Sequence, residues 1–134
     1  MDLDKRYNVK HDYHVSVSDL AWNPGENLLL ALFVDGAMGL ISLETLTFVM
    51  IFEKQSVRIS SVAWMDNISG EIVTASTKIG ALKIWSSATD SPKDMIKVGP
   101  HGIAAILPLK LHSSSTFLLQ LKNGQVVVYN LRKR

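Results

Sequence analysis

Cysteine is missing from all 134 residues. Its absence excludes disulfides, thiolate metal sites and a cysteine nucleophile. A dominant charge is lacking as well. Fourteen Lys and Arg against twelve Asp and Glu leave a formal net charge of +2. Nucleic-acid binding ordinarily shows as a strong basic excess, and here only the short tail "LRKR" is conspicuously basic. No apolar run approaches the ~18 residues that span a bilayer. The opening "MDLDKRYNVKHDYH" has no apolar stretch of the kind a secretory signal needs. Long polar tracts are absent, which argues against disorder. Together these absences point to a cytoplasmic chain, with nuclear and cytoskeletal settings left open, in which the sequon Asn67-Ile68-Ser69 carries no sugar. What is present is apolar material: 47% of the residues, enough for a core in a chain the size of one domain.

That apolar material is repeated. Gly36 follows "FVD", Gly80 follows "TKI" and Gly124 follows "LKN", at intervals of 44 residues. Five residues beyond each glycine stand Ile41, Trp85 and Tyr129. Trp22 and Trp64 are 42 apart and close the runs "VSDLAW" and "ISSVAW"; one more step of 42 reaches Ile106 in "IAAILPL". A period near 44 marks a propeller or a solenoid. The first unit reads as four short apolar runs separated by "NPGEN", "DGAMG" and Glu44-Thr45, with no sustained helical period. The runs "LLLALFV", "LTFVMIF" and "QVVVYNL" are apolar on both faces, which implies sheets covered on both sides. The expected fold is all-β: a partial propeller of about three four-stranded antiparallel blades, as an open wedge or as part of a ring. Residues 1–15 are expected to form an orphan N-terminal strand, 16–53 the first blade, 54–98 the second and 99–134 an incomplete third. Trp22, Trp64 and Trp85 should be buried between strands or blades. Gly36, Gly80 and Gly124 should occupy equivalent hairpin turns, at least one with φ > 0.

The repeat resembles the WD40 family. "VSDLAWNPGENLLLALFVDGAMGLISLET" carries the pattern of a first strand ending in Trp, a Pro-containing turn, an apolar strand, Asp-Gly and a further apolar strand. "ISSVAWMDNISGEIVTASTKIGALKIWSS" adds the small-residue strand "TAS" and the Trp of the family's name at Trp85. "IAAILPLKLHSSSTFLLQLKNGQVVVYNL" is a degenerate third copy. Several features depart from the pattern. Trp-Asp is here Trp85-Ser86, and the turn aspartate survives only as Asp35, matched by Ile79 and Asn123. His101 in "GPHG" is a loose match to the family's Gly-His pair. The family's polar network is therefore incomplete in every copy, and the blades must rely on apolar packing. The resemblance implies a protein-binding rim made of the turns between second and third strands and the links between blades. Mapped here, that rim carries Asp35, Lys54, Gln55, Arg58, Lys78, His101, Lys122 and Asn123. Its mildly basic character would suit an acidic partner segment, and its alternative is a solvated face.

Catalytic chemistry finds no support. His11, Asp12 and His14 are close in sequence, but in a strand the two histidines point to opposite faces, so they read as exposed edge positions rather than metal ligands. His101 and His112 lie in loops with no carboxylate pattern nearby. No serine sits in a strand-turn-helix elbow, and a phosphate cradle would need a helix after its glycines. The loop "SSATDSPKD" offers Ser91 for phosphorylation, with a solvated turn as the plainer reading. The expectation is a non-enzymatic chain without metal or cofactor.

Three blades fall short of the roughly four to eight that close a ring. Residues Tyr7, Val9, His11, Tyr13 and Val15 alternate as a strand would, and such a strand could complete a blade that lacks its fourth member. The missing blades are expected from the rest of a longer chain or from other subunits, a second copy included. The functional expectation is a protein–protein interaction scaffold. The alternative is a nucleic-acid-binding propeller that uses the basic rim and tail.

Overall fold

A computed structural model describes residues 16–23, 25, 27–65, 70–109 and 116–131. The orphan strand with His11, Asp12 and His14, the sequon Asn67-Ile68-Ser69, His112, and Arg132, Lys133 and Arg134 of the tail lie outside the described residues.

The described chain is all-β, with three antiparallel sheets. The first contains β1 (Val17–Asn23), β2 (Leu28–Phe33), β3 (Met38–Ser42) and β4 (Thr47–Ile51) in chain order. The second contains β5 (Ser61–Trp64), β6 (Glu71–Ser76), β7 (Ile79–Ser86) and β8 (Pro92–Lys97), again in chain order. The third contains β9 (Ile103–Leu109), β10 (Thr116–Leu121) and β11 (Val126–Asn130), with β10 in the middle and β11 at an edge. Three meanders in succession, each joined by short turns, are the arrangement of a partial WD40-type propeller.

Alternation along the strands gives the second sheet two apolar faces. Trp64, Ile72 and Trp85 pack with Leu30, Leu32, Met38 and Leu40 of the first sheet. Ala63, Val73, Ala75, Leu82 and Ile84 pack with Ile103, Ile106, Phe117 and Leu119 of the third. The second sheet is thus covered on both sides. Trp64 Nε1 donates to the Ala21 carbonyl across the first junction at 2.8 Å. Trp85 is fully buried, donates its Nε1 to Thr74 Oγ1 at 2.9 Å and meets Phe52 edge-on at 5.4 Å between centroids. Across the second junction Ile106 N donates to Ser61 Oγ at 3.0 Å, and Ser60 Oγ donates to the Ile103 carbonyl at 3.2 Å.

Two expectations are corrected. Trp22 is 62% exposed, whereas Trp64 is 7% exposed. The cause is direction. Ala21 faces the second sheet, so its neighbour Trp22 faces away from it, onto a side where no other described sheet lies. Gly80 is also not in a turn. Gly36 (φ 87°) and Gly124 (φ 94°) occupy matching turns, with Gly36 N donating to Phe33 O and Gly124 N to Leu121 O. In the second sheet the hairpin closes earlier, on Thr77 and Lys78 between paired Ser76 and Ile79. That shorter turn draws Gly80 into β7, where a Cβ would overlap the Gly99 carbonyl.

Apolar runs also proved a partial guide to coverage. "LLLALFV" supplies the buried β2, but β4 leaves Val49 57% and Ile51 42% exposed, and β11 leaves Val126 58% and Val128 65% exposed. The outer faces of the first and third sheets carry these residues because no described sheet covers them.

Removing the Trp64 ring deletes a buried aromatic and a hydrogen bond between sheets. Trp64→Ala should lower unfolding free energy by roughly 3–5 kcal/mol, read from urea denaturation. An unchanged midpoint would contradict the packing. Gly36→Val should lose about 1–3 kcal/mol, because φ is positive and the new side chain would meet Arg58. A variant as stable as the parent would contradict that assignment.

Candidate protein-binding rim and end faces

The turns between second and third strands meet the links between sheets along one rim. In the first turn Asp35 Oδ1 accepts from Ala37 N at 3.0 Å, which shapes the turn around Gly36. Asp35 Oδ2 also lies 3.5 Å from Lys54 Nζ in the following link. Arg58, from the same link, lies over Gly36, where a Cβ would overlap its side chain. Gln55 Nε2 donates to Glu53 O at 3.2 Å, and Gln55 Oε1 accepts from Lys83 Nζ at 2.5 Å.

The second turn repeats the scheme with other atoms. Ser76 Oγ accepts from Lys78 N at 3.1 Å, doing what Asp35 does in the first. Gly80 packs on the carbonyls of Gly99 and His101, and Gly102 on the carbonyl of Thr77. The third turn uses Asn123, whose Oδ1 accepts from Gln125 N at 3.1 Å. Lys122 N donates to Gly102 O at 2.8 Å, tying that turn to the same link. Asp35, Lys54, Gln55 and Arg58 are thus gathered at the first junction, and Lys78, His101 and Lys122 near the second. Asn123 stands exposed beside Lys122. The rim is less basic than its lysines and arginine alone suggest, since Lys54 pairs with Asp35. Among the described residues no three of His, Asp and Glu gather as metal ligands would.

Two further regions stand out, of which sequence reading missed the first and expected the second from the shortfall of blades. One is a cleft of about 290 Å³ between the link at Val98–His101 and the third sheet, lined also by Leu121, Val127 and Tyr129. The other is the pair of outer faces. The first sheet presents Leu20 (54% exposed) and Trp22 outward, and the third presents Leu107 (56%), Val126 and Val128. Large exposed apolar side chains grouped on a sheet face are the mark of a surface made for contact. The signal available in sequence was the recurrence of Ala21, Ala63 and Ala105 at the same 42-residue step as the tryptophans.

This is the geometry of a repeat protein: similar meanders, stacked face to face, with turns and links forming a shared rim. Residues 3–67, just under half of the chain, match the family model described as Anaphase-promoting complex subunit 4 WD40 domain. With the three antiparallel sheets, that match supports a WD40-repeat family for the chain. No curated protein matches the chain. The first two copies also resemble a stretch of WD repeat-containing protein 17, a finer likeness to which the comparisons add no support.

Asp35 has two separable roles. Asp35→Asn keeps the oxygen that caps the turn and loses the charge that meets Lys54 in a half-exposed pair, a loss of under about 0.5 kcal/mol for that pair. Asp35→Ala also loses the bond to Ala37 N and should cost about 1 kcal/mol. Thermal unfolding of the two variants checks the order, and equal losses would contradict the turn-capping role.

Proposed function

We propose that this chain is a non-catalytic scaffold for protein–protein interaction. It is a WD40-type propeller segment that assembles with other subunits or with the rest of a longer propeller. Its units are an N-terminal strand (1–15), two blades (16–53 and 54–98) and an incomplete third (99–134). The observation that carries this reading is the exposed apolar patch at each end of the stack, with Trp22 and Leu20 on one and Leu107, Val126 and Val128 on the other. The matched family is named for a subunit of a complex, which supports a role in holding proteins together. The N-terminal strand suits the β11 edge of the third sheet, where no described strand pairs and a fourth would complete the sheet. The rim at Lys54, Arg58, Lys78 and Lys122 suits an acidic partner segment, and the setting is the cytoplasm.

The second reading is a nucleic-acid-binding propeller. It draws on Lys78, Lys122 and the basic tail. Against it, Trp22 lies among Leu20 and Leu29 rather than interleaved with basic residues, as a base-stacking platform would require.

Fluorescence anisotropy separates the two readings, with a labelled polyglutamate peptide and a mixed-sequence oligonucleotide titrated from about 50 to 200 mM salt. The scaffold reading predicts modest peptide binding at the rim and no tight oligonucleotide binding. Failure of the peptide to bind would overturn the acidic-partner assignment. Tight oligonucleotide binding that falls about 10³-fold across that range would overturn the scaffold reading.

A further inference from the structure

The first two sheets pass the chain on by links that start at matching places. Phe52 N donates to Met38 O at 3.0 Å after β4, and Val98 N donates to Gly80 O at 2.8 Å after β8. Met38 and Gly80 match in turn. Each follows the residue that closes its turn, Ala37 bonded by Phe33 N in the first sheet and Ile79 paired with Ser76 in the second. Val98 therefore stands at the second junction where Phe52 stands at the first.

The two side chains fill that place unequally. Phe52 is 3% exposed, and its ring meets Trp85 on the third strand of the following sheet, edge-on at 5.4 Å between centroids. At Val98 an isopropyl group replaces the benzyl group. The third strand of the sheet that follows it is β11, whose Val127 and Tyr129 are only partly buried. Between Val98 and these two lies the cleft of about 290 Å³, lined also by Leu121 and bordered by the exposed His101 and Gln125. The first junction is filled by a ring from its own chain. The second has an opening with apolar walls at the corresponding place.

Cations stand around the opening. Lys122 follows Leu121 of the lining, and its N bonds Gly102 O beside His101. Lys78 belongs to the turn whose Thr77 carbonyl packs on Gly102. Lys78, His101 and Lys122 are exposed, and no described carboxylate pairs with any of them, whereas at the first junction Asp35 holds Lys54.

We propose that this cleft receives a phenylalanine-type side chain from an acidic segment of a partner protein. The ring lies against Tyr129 between Val98 and Val127, as Phe52 lies against Trp85, and carboxylates flanking it meet Lys78 and Lys122. This rests on the scaffold reading and its acidic partner, and it names the anchor that fixes such a segment to the rim. Exposed charge pairs alone hold a segment weakly and are screened by salt. An aromatic ring desolvated in a formed pocket is the kind of contact that carries binding energy.

Fluorescence anisotropy of the full chain tests it with two labelled polyglutamate peptides, one with a central Phe and one with Ala in its place. The wild type should bind the Phe peptide roughly tenfold more tightly than the Ala peptide. Val98→Phe, which fills the cleft as Phe52 fills the first junction, should remove that difference and leave binding of the Ala peptide unchanged. Lys78→Glu together with Lys122→Glu should weaken both peptides. Should Val98→Phe fail to fold, ring-current shifts of the Val98 and Val127 methyl protons on adding the Phe peptide to the wild type, absent with the Ala peptide, take its place. Equal binding of the two peptides by the wild type overturns the proposal and leaves the acidic-partner reading standing. Failure of both to bind overturns both. A Phe advantage that persists undiminished in Val98→Phe places the ring elsewhere and overturns the proposal. So does a synthetic peptide of residues 1–15 that competes as strongly as unlabelled Phe peptide, since the chain's own N-terminal segment is then the occupant.

Discussion

The structure depends on one indole. Trp64 leaves the second sheet, enters the apolar layer made by Leu30, Leu32, Met38 and Leu40, and gives its one polar hydrogen to the Ala21 carbonyl. A buried indole N–H without a partner is costly, so that bond settles where the ring sits as well as that it is buried. Once the ring is fixed, the relative position of the first two sheets follows. Trp85 then lies under the same layer, satisfied by Thr74 and capped edge-on by Phe52 from the link between the sheets.

The second junction reaches the same end by different means. No tryptophan enters it. Ile106 contributes only apolar bulk, and the polar definition comes from Ser60 and Ser61, which bond to the backbone of β9. What stays constant is geometric: a small residue on one face and a larger one against it. The rim follows the same rule. Asp35, Ser76 and Asn123 are chemically different, yet each offers one oxygen to a backbone N–H two residues on and so shapes its turn. Function, on this account, belongs to the ends and the rim of the stack, because the middle is consumed by its own packing.

Much of this was legible in the sequence. Trp64 and Trp85, the strand runs and the three-fold spacing are properties of the chain itself. Trp22 was misread because burial belongs to a residue's neighbours, and no described sheet covers the corner of the first sheet where it stands, although Ala31, Phe33 and Ile41 on the same face are buried. Gly80 was misread because turn length is set by which residues pair, and the closure at Thr77-Lys78 moves the glycine into the strand. Apolar runs report that a strand can be covered, not that it is, as Val126 and Val128 show. At the rim the sequence revealed the charges of Lys54 and Asp35 but not their pairing, which is a matter of three dimensions.

The central claim is that Trp64 joins the first two sheets through its indole. Proton exchange at the indole nitrogens of the uniformly ¹⁵N-labelled wild-type chain tests it most directly, with the three signals assigned by substitution. The account predicts that the Trp64 indole proton exchanges slowly, held by the Ala21 carbonyl in an apolar layer. A Trp64 indole proton that exchanges as fast as that of a free indole would contradict it.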